Sequence, residues 1–352
     1  MKKQARRLVI LAEATLDFHH GKTATSILRY RPEEVVAVID STRAGQTTQQ
    51  AVGLAGDTPI VGTIEEAMSY HPAALLLGVA SRGGVLPPEW RSQIMFAIEH
   101  GLDVVSGLHF MLNEDQEFTA AARRAGVALV DVRQPPAKLP VATLQAHRPE
   151  SHVITFVGSD CATGKMTAAL EIAEAASGSG LSTAFVATGQ TGIMLEGSGV
   201  AVDSVIGDFM AGSIEQLVVE ASQRADWVFV EGQGSLLHPG YSGVTLALLH
   251  GSSPDAMIFV HRAGQTHIHH YPLELPALPD MIRLYEEAAA WIKPAPVVGV
   301  ALNTQALDEI AAWEAIRTAE AESGLPVSDP VRFGGETLVE ACIAAFGIPL
   351  AG

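Results

Sequence analysis

The sequence predicts an α/β protein built from two parallel-sheet domains. Three observations predict it. Short apolar runs of strand length alternate with helix-length runs along the whole chain. One strand, His152 to Val157, opens into a glycine-bounded loop that carries a lysine and leads into an alanine-rich helix. Between the halves lies Gln134 to Pro149, with four prolines and no periodicity. The expected boundaries are 1–135 for the first domain, 136–150 for a stiff, extended linker and 151–352 for the second domain.

In the first domain, strands are expected at Leu8–Ala12, Val35–Ile39, Pro59–Val61, Ala73–Val79, Asp103–Val105 and Val127–Val130. Helices are expected at Thr23–Tyr30, Ile64–Tyr70, Trp90–His100 and Asn113–Ala125. This alternation points to a Rossmann-like open sheet. A dinucleotide is not expected there. The first strand leads into Glu13-Ala14-Thr15-Leu16, without the G-x-G-x-x-G turn, and Asp40 reads as a turn residue. His20-Gly21-Lys22-Thr23 lacks the upstream glycine of a phosphate loop and reads as a helix start. Arg82, in the turn beyond a strand end, is a candidate contact for an anionic group.

The second domain opens on Gly158-Ser159-Asp160-Cys161-Ala162-Thr163-Gly164-Lys165-Met166-Thr167. Backbone N–H groups, a helix N-terminus and Lys165 together make a cradle for a di- or triphosphate, the P-loop plan. The spacing is one residue longer than G-x-x-x-x-G-K-[ST]. Met166 stands where nucleotide hydrolases place a Mg²⁺-binding hydroxyl, and a thioether is a poor ligand for that ion. The loop is therefore expected to hold phosphates without metal-assisted phosphoryl transfer.

The next strand, Leu181–Ala187, ends in Thr188-Gly189-Gln190-Thr191-Gly192, which reads equally as a turn or as a set facing the phosphates. Asp208 precedes an amphipathic helix, Ser213–Ala225. Trp227–Val230 ends at Glu231, a Walker-B-like place, with Gly232-Gln233-Gly234-Ser235 behind it. Ala256–Val260 opens into a loop with four of the thirteen histidines, His261 to His270. No C-x-x-C or H-E-x-x-H accompanies them, so no metal is expected, and the loop reads as solvated or substrate-facing. Arg262 beside it is a candidate carboxylate clamp. Helix Pro279–Ile292, strand Val297–Leu302 ending in Asn303, and helices Leu307–Ser323 and Thr337–Phe346 complete the domain.

Composition narrows the class. Hydrophobic residues make up 48% and charged ones 17%, a chain with large cores and little disorder. The formal charge of −17 and the absence of a basic stripe argue against nucleic acid. No window approaches a membrane span. Two distant cysteines, Cys161 and Cys342, indicate no disulfide scaffold, and a reducing cytoplasm is the default. A homo-oligomer that acts on a small molecule is the expectation.

The second domain resembles the dethiobiotin synthetase-like P-loop branch in its longer loop, its Glu231-Gly232 pair and its late strand ending in Asn303. The full chain more closely resembles a family first catalogued as a domain of unknown function. The carrying motifs are G-S-D-C-A-T-G-K-M-T, V-E-G-Q-G-S-L and R-Y-R-P-E-E-V-V-A-V-I-D. That resemblance implies a D-glutamate N-acetyltransferase that uses acetyl-CoA. Acyl transfer to an amine needs a base and donors for the oxyanion. Glu231, Asp208, His238 and His267 are the base candidates, and the N–H groups of Gly232 to Gly234 the candidate donors. Arg262 and Arg82, with Gln190 and Gln233, are the substrate-binding candidates. The alternative is an ATP- and Mg²⁺-dependent kinase or ligase, with Thr167 or Glu231 on the metal. A third reading is a nucleotide-sensing regulatory protein.

Overall fold

The computed structural model describes residues 6–17, 21–54, 56–79, 86–145 and 148–347. The chain forms two compact units, one of residues 1–135 with 193–204, the other of 136–192 with 205–352.

The first unit is a six-stranded parallel sheet in the order β3-β2-β1-β4-β5-β6. Its strands are β1 (Leu8–Leu11), β2 (Val35–Ile39), β3 (Ile60–Val61), β4 (Ala74–Leu77), β5 (Asp103–Ser106) and β6 (Leu129–Asp131). This is the doubly wound order of a Rossmann-like sheet. The central strands β1 and β4 are buried at every position, as a sheet covered on both faces requires. Asp40, just past β2, is buried and accepts from the N–H of Ala14 at 3.2 Å and of Thr42 at 3.1 Å. It closes a turn.

The second unit is a six-stranded parallel sheet in the order β12-β11-β10-β7-β9-β8. Its strands are β7 (His152–Gly158), β8 (Thr183–Val186), β9 (Trp227–Val230), β10 (Ala256–Arg262), β11 (Val297–Asn303) and β12 (Val327–Ser328). β7 is central, with β9 on one side and β10 on the other. The C-terminal ends of these three strands carry the loops that build the site.

Several elements differ from expectation. The polar stretch after β8 is helical from Gln190 to Glu196. The helix expected at Ser213 starts at Gly207 and ends at Ser222. A further helix, Ser242–Ser252, is apolar on most sides and lacks a periodic signal. From Pro136 on, the proline-rich stretch belongs to the second unit. Thr143 donates through its N–H and its hydroxyl to the Glu215 carboxylate, the hydroxyl at 2.7 Å. A side chain on Gly212 would strike the Pro140 carbonyl oxygen at 2.1 Å.

Candidate functional site

The loop after β7 is gripped from both neighbouring strands. Ser159 N–H donates to the Val260 carbonyl at 3.1 Å, and Ser235 Oγ donates to the Ser159 carbonyl at 3.0 Å. The Tyr285 hydroxyl, fully buried, donates to the Gly158 carbonyl at 2.7 Å. The chain then turns through Ala162 and Gly164, at φ of 53° and 109°, into the helix Lys165–Gly178. Glycine at 164 suits a conformation that a side chain disfavours. Lys165 is buried, and its Nζ donates to the Asp160 carbonyl at 2.6 Å, under the arc of its own loop. Asn303 Nδ2 donates to the Thr163 carbonyl at 3.0 Å, and Arg262 Nη2 donates to the Ala162 carbonyl at 2.6 Å. Met166 is in the core, so no hydroxyl stands directly after the lysine.

Asp160 is the unexpected member of the loop. Its carboxylate is fully buried and takes three N–H donors: its neighbour Cys161 at 2.7 Å, Gln265 Nε2 at 2.6 Å and His269 N–H at 2.6 Å. It ties the histidine loop to the phosphate loop. His261 adds a second tie, Nδ1 to Ser159 Oγ at 2.9 Å. Burial pushes the His261 imidazole from 6.5 down to about 4, so the ring is neutral at physiological pH.

Glu231, at the end of β9, is buried. Its Oε2 accepts from the N–H groups of Thr188 at 3.0 Å and Gly189 at 3.1 Å. The Thr188 hydroxyl donates to the Glu231 carbonyl at 2.8 Å, and Gln233 Nε2 approaches Oε1 at 3.4 Å. The Thr188 to Gly192 stretch therefore wraps this carboxylate. Any Cβ at Gly192 would sit 2.3 Å from Glu231 Oε2. Gly232 brings the backbone against the phosphate loop's lysine; a Cβ there would lie 1.7 Å from the Phe156 carbonyl oxygen and 2.7 Å from Lys165 Cδ. Gln190 is buried, and its Oε1 has no hydrogen-bond partner among the described residues.

His238 is buried, stacked on Tyr241 at 4.6 Å and edge-on to Tyr271 at 5.1 Å. Its Nδ1 accepts from Gly240 N–H at 3.1 Å, which places the proton of the neutral ring on Nε2. The Asp160, Cys161 and His238 donor atoms lie within 4.8 Å of one another. The Asp160 oxygens and His238 Nδ1 also accept protein N–H groups.

The structure thus joins Ser159, Asp160, Ala162, Thr163, Lys165, Arg262 and Asn303 in one network, with Glu231, Gln233 and Gly232 packed beside the lysine. Asp208 is exposed in the first turn of its helix, and no described hydrogen bond links it to the loop. His267 is exposed, with Nδ1 against Thr266 Oγ1 at 2.9 Å. Arg82 lies outside the described residues. Sequence reasoning missed Gln265, Tyr285, Ser235 and the Asp160 latch. Their partners are 50 to 127 residues away in the chain or bond through backbone atoms, so no local pattern marks them.

Fold and loop together define an α/β protein with a Rossmann-like unit and a P-loop unit. Family models match in both: a domain of unknown function described as DUF1611_N, Rossmann-like, over residues 41–135, and one described as DUF1611_C, P-loop, over residues 140–339. The chain belongs to the DUF1611 family. It is 38% identical over 342 residues to a D-glutamate N-acetyltransferase of Tritonibacter scottomollicae, covering 96% of this chain and 98% of that protein. It is 36% identical over 279 residues to a protein of the same name from a Pseudoalteromonas species, covering 79% and 83%. The crystal structure of a DUF1611 family protein from Anabaena variabilis superposes with a TM-score of 0.91 at 42% identity, covering 96% of this chain and 99% of that one. No described helix is long and apolar enough to cross a membrane.

Proposed function

We propose that the protein transfers an acetyl group from acetyl-CoA to the amine of D-glutamate. The observation that carries this reading is the phosphate loop with Lys165 beneath it and a buried methionine directly after the lysine. Coenzyme A brings a diphosphate to such a loop, and acyl transfer to an amine needs no metal at that point. The relatives named above support the substrate and the reaction class.

In this reading the N–H groups from Asp160 to Lys165 and the Lys165 ammonium hold the diphosphate. Arg262, at the Ala162 rim, pairs with a further anionic group of donor or acceptor. Glu231 is a fixed carboxylate whose Oε2 is engaged by two backbone N–H groups, a holding role rather than a proton-carrying one. His238, with its Nδ1 engaged, presents a donor.

The test is thiol release from acetyl-CoA with D-glutamate in the presence of EDTA. Release that depends on D-glutamate supports the proposal. Mg²⁺-dependent ADP formation without thiol release would support the kinase or ligase reading instead. Lys165→Ala should weaken CoA binding by at least about tenfold, the loss of a charge-assisted bond.

A further inference from the structure

A cavity of about 600 Å³ lies beside the phosphate loop, entirely within the second unit. The histidine loop forms its shared wall. His261 and Gln265 line the cavity on one side and bond Ser159 and Asp160 of the phosphate loop on the other. We infer that this cavity takes the acyl-pantetheine arm of the donor and that His267, on its wall, is the base for the transfer. The inference rests on the acetyl-CoA reading above.

Four features select that occupant. The volume falls within the range of about 300–1,000 Å³ typical of small-molecule sites. The floor is apolar, with Leu278, Met281 and Leu302, and polar groups such as Thr318 stand among these walls. An uncharged chain with amide groups matches that mixture. Glu274 and Glu322 also line the cavity and would repel the two carboxylates of the acceptor, so the arm, not free glutamate, fits the interior. The Gln265 Oε1 is buried without a hydrogen-bond partner among the described residues, and an amide N–H of the arm would satisfy it.

The same geometry separates the base candidates. Glu231 Oε2 and His238 Nδ1 accept backbone N–H groups, and Gln233 Nε2 approaches Glu231 Oε1. His261 is largely buried and bonded to Ser159. His267 lines the cavity with an exposed ring whose Nδ1 contacts Thr266 Oγ1; in the tautomer that donates Nδ1–H to that hydroxyl, Nε2 is the acceptor. In the transfer, one proton of the acceptor's ammonium passes to His267 Nε2 and on to solvent. The amine nitrogen then attacks the thioester carbonyl carbon, the C–N bond forms and the C–S bond breaks. The second proton leaves that nitrogen and ends on the coenzyme sulfur. No oxidant or metal enters the balance.

Three variants test this. Thr318→Trp, on an exposed face of the helix Glu309–Ser323, fills the cavity without touching the phosphate loop. By calorimetry it should weaken CoA at least about tenfold and leave ADP, which lacks the arm, unchanged. Ala315→Phe fills the same cavity from the preceding turn and guards against a folding failure of the first variant. His267→Gln should lower kcat about 100-fold or more, an effect far larger than any change in CoA affinity. Equal weakening of CoA and ADP, or unchanged CoA binding in both fillings, overturns the arm site. Wild-type rates in His267→Gln overturn the base. If the unaltered protein binds no CoA, the acetyl-CoA reading itself fails, a result separate from either outcome.

Discussion

Acidification should loosen the second unit through one side chain, His261. Its ring is packed at the end of β10 with Nδ1 on Ser159 Oγ at 2.9 Å, and burial lowers its pKa from 6.5 to about 4. Between those two values the unfolded chain binds a proton that the folded chain refuses. Stability from this group is therefore complete above pH 6.5, falls as the pH drops, and levels off below about 4. At 1.36 kcal/mol per pH unit, the full loss is about 3 kcal/mol. The assay is urea unfolding across a pH series for the wild type and for His261→Gln. The glutamine can still bond Ser159 Oγ but does not titrate. The wild type should lose about 3 kcal/mol more than the variant between neutral and acid pH. Parallel curves for the two proteins would refute the assignment of a largely buried, neutral imidazole at this position.

Three further outcomes follow from the same geometry. Gly232→Ala puts a methyl 1.7 Å from the Phe156 carbonyl oxygen, so β7 and β9 must separate; a loss of at least about 3 kcal/mol is expected in chemical denaturation. Asp160→Asn turns an amide N–H₂ toward donors that now bond a carboxylate. It should cost about 1–3 kcal/mol and raise hydrogen exchange selectively between residues 263 and 272. The two thiols should separate in labelling: Cys342, buried with its pKa pushed up to about 12, stays unmodified in the native protein. Cys161, half-buried on the phosphate loop, should react first and be protected by CoA, as peptide mass spectrometry would show.

The fold was legible where burial leaves a one-dimensional trace. Val35–Ile39 and Trp227–Val230 match β2 and β9 residue for residue, because strands covered on both faces are runs of apolar, β-branched side chains. The helices that escaped share a different cause. Ser242–Ser252 is apolar on most sides and carries two glycines, so neither periodicity nor propensity announces it. The start at Gly207 is hidden the same way, in a Gly-Asp-Phe-Met-Ala-Gly run. Its Gly212 is set by the approach of the Pro140 carbonyl, a contact from 72 residues upstream.

The site divides along the same line. The loop between β7 and the helix Lys165–Gly178 was readable because a loop between a strand and a helix must spell out its own backbone requirements in sequence. What supports that loop was not readable. Gln265 meets Asp160 across 105 residues and His261 meets Ser159 across 102, and each is a single polar side chain in a loop rich in polar side chains. Only the folded register of β10 against β7, which sets Val260 beside Gly158, brings the histidine loop over the phosphate loop. The histidines then take different roles from one short segment. His261 is a largely buried neutral spacer, His269 lends its backbone to Asp160, and His267 is the exposed ring on the cavity wall. Composition counts these residues alike; the sheet register separates them, and it is on that separation that the assignment of His267 to proton transfer rests.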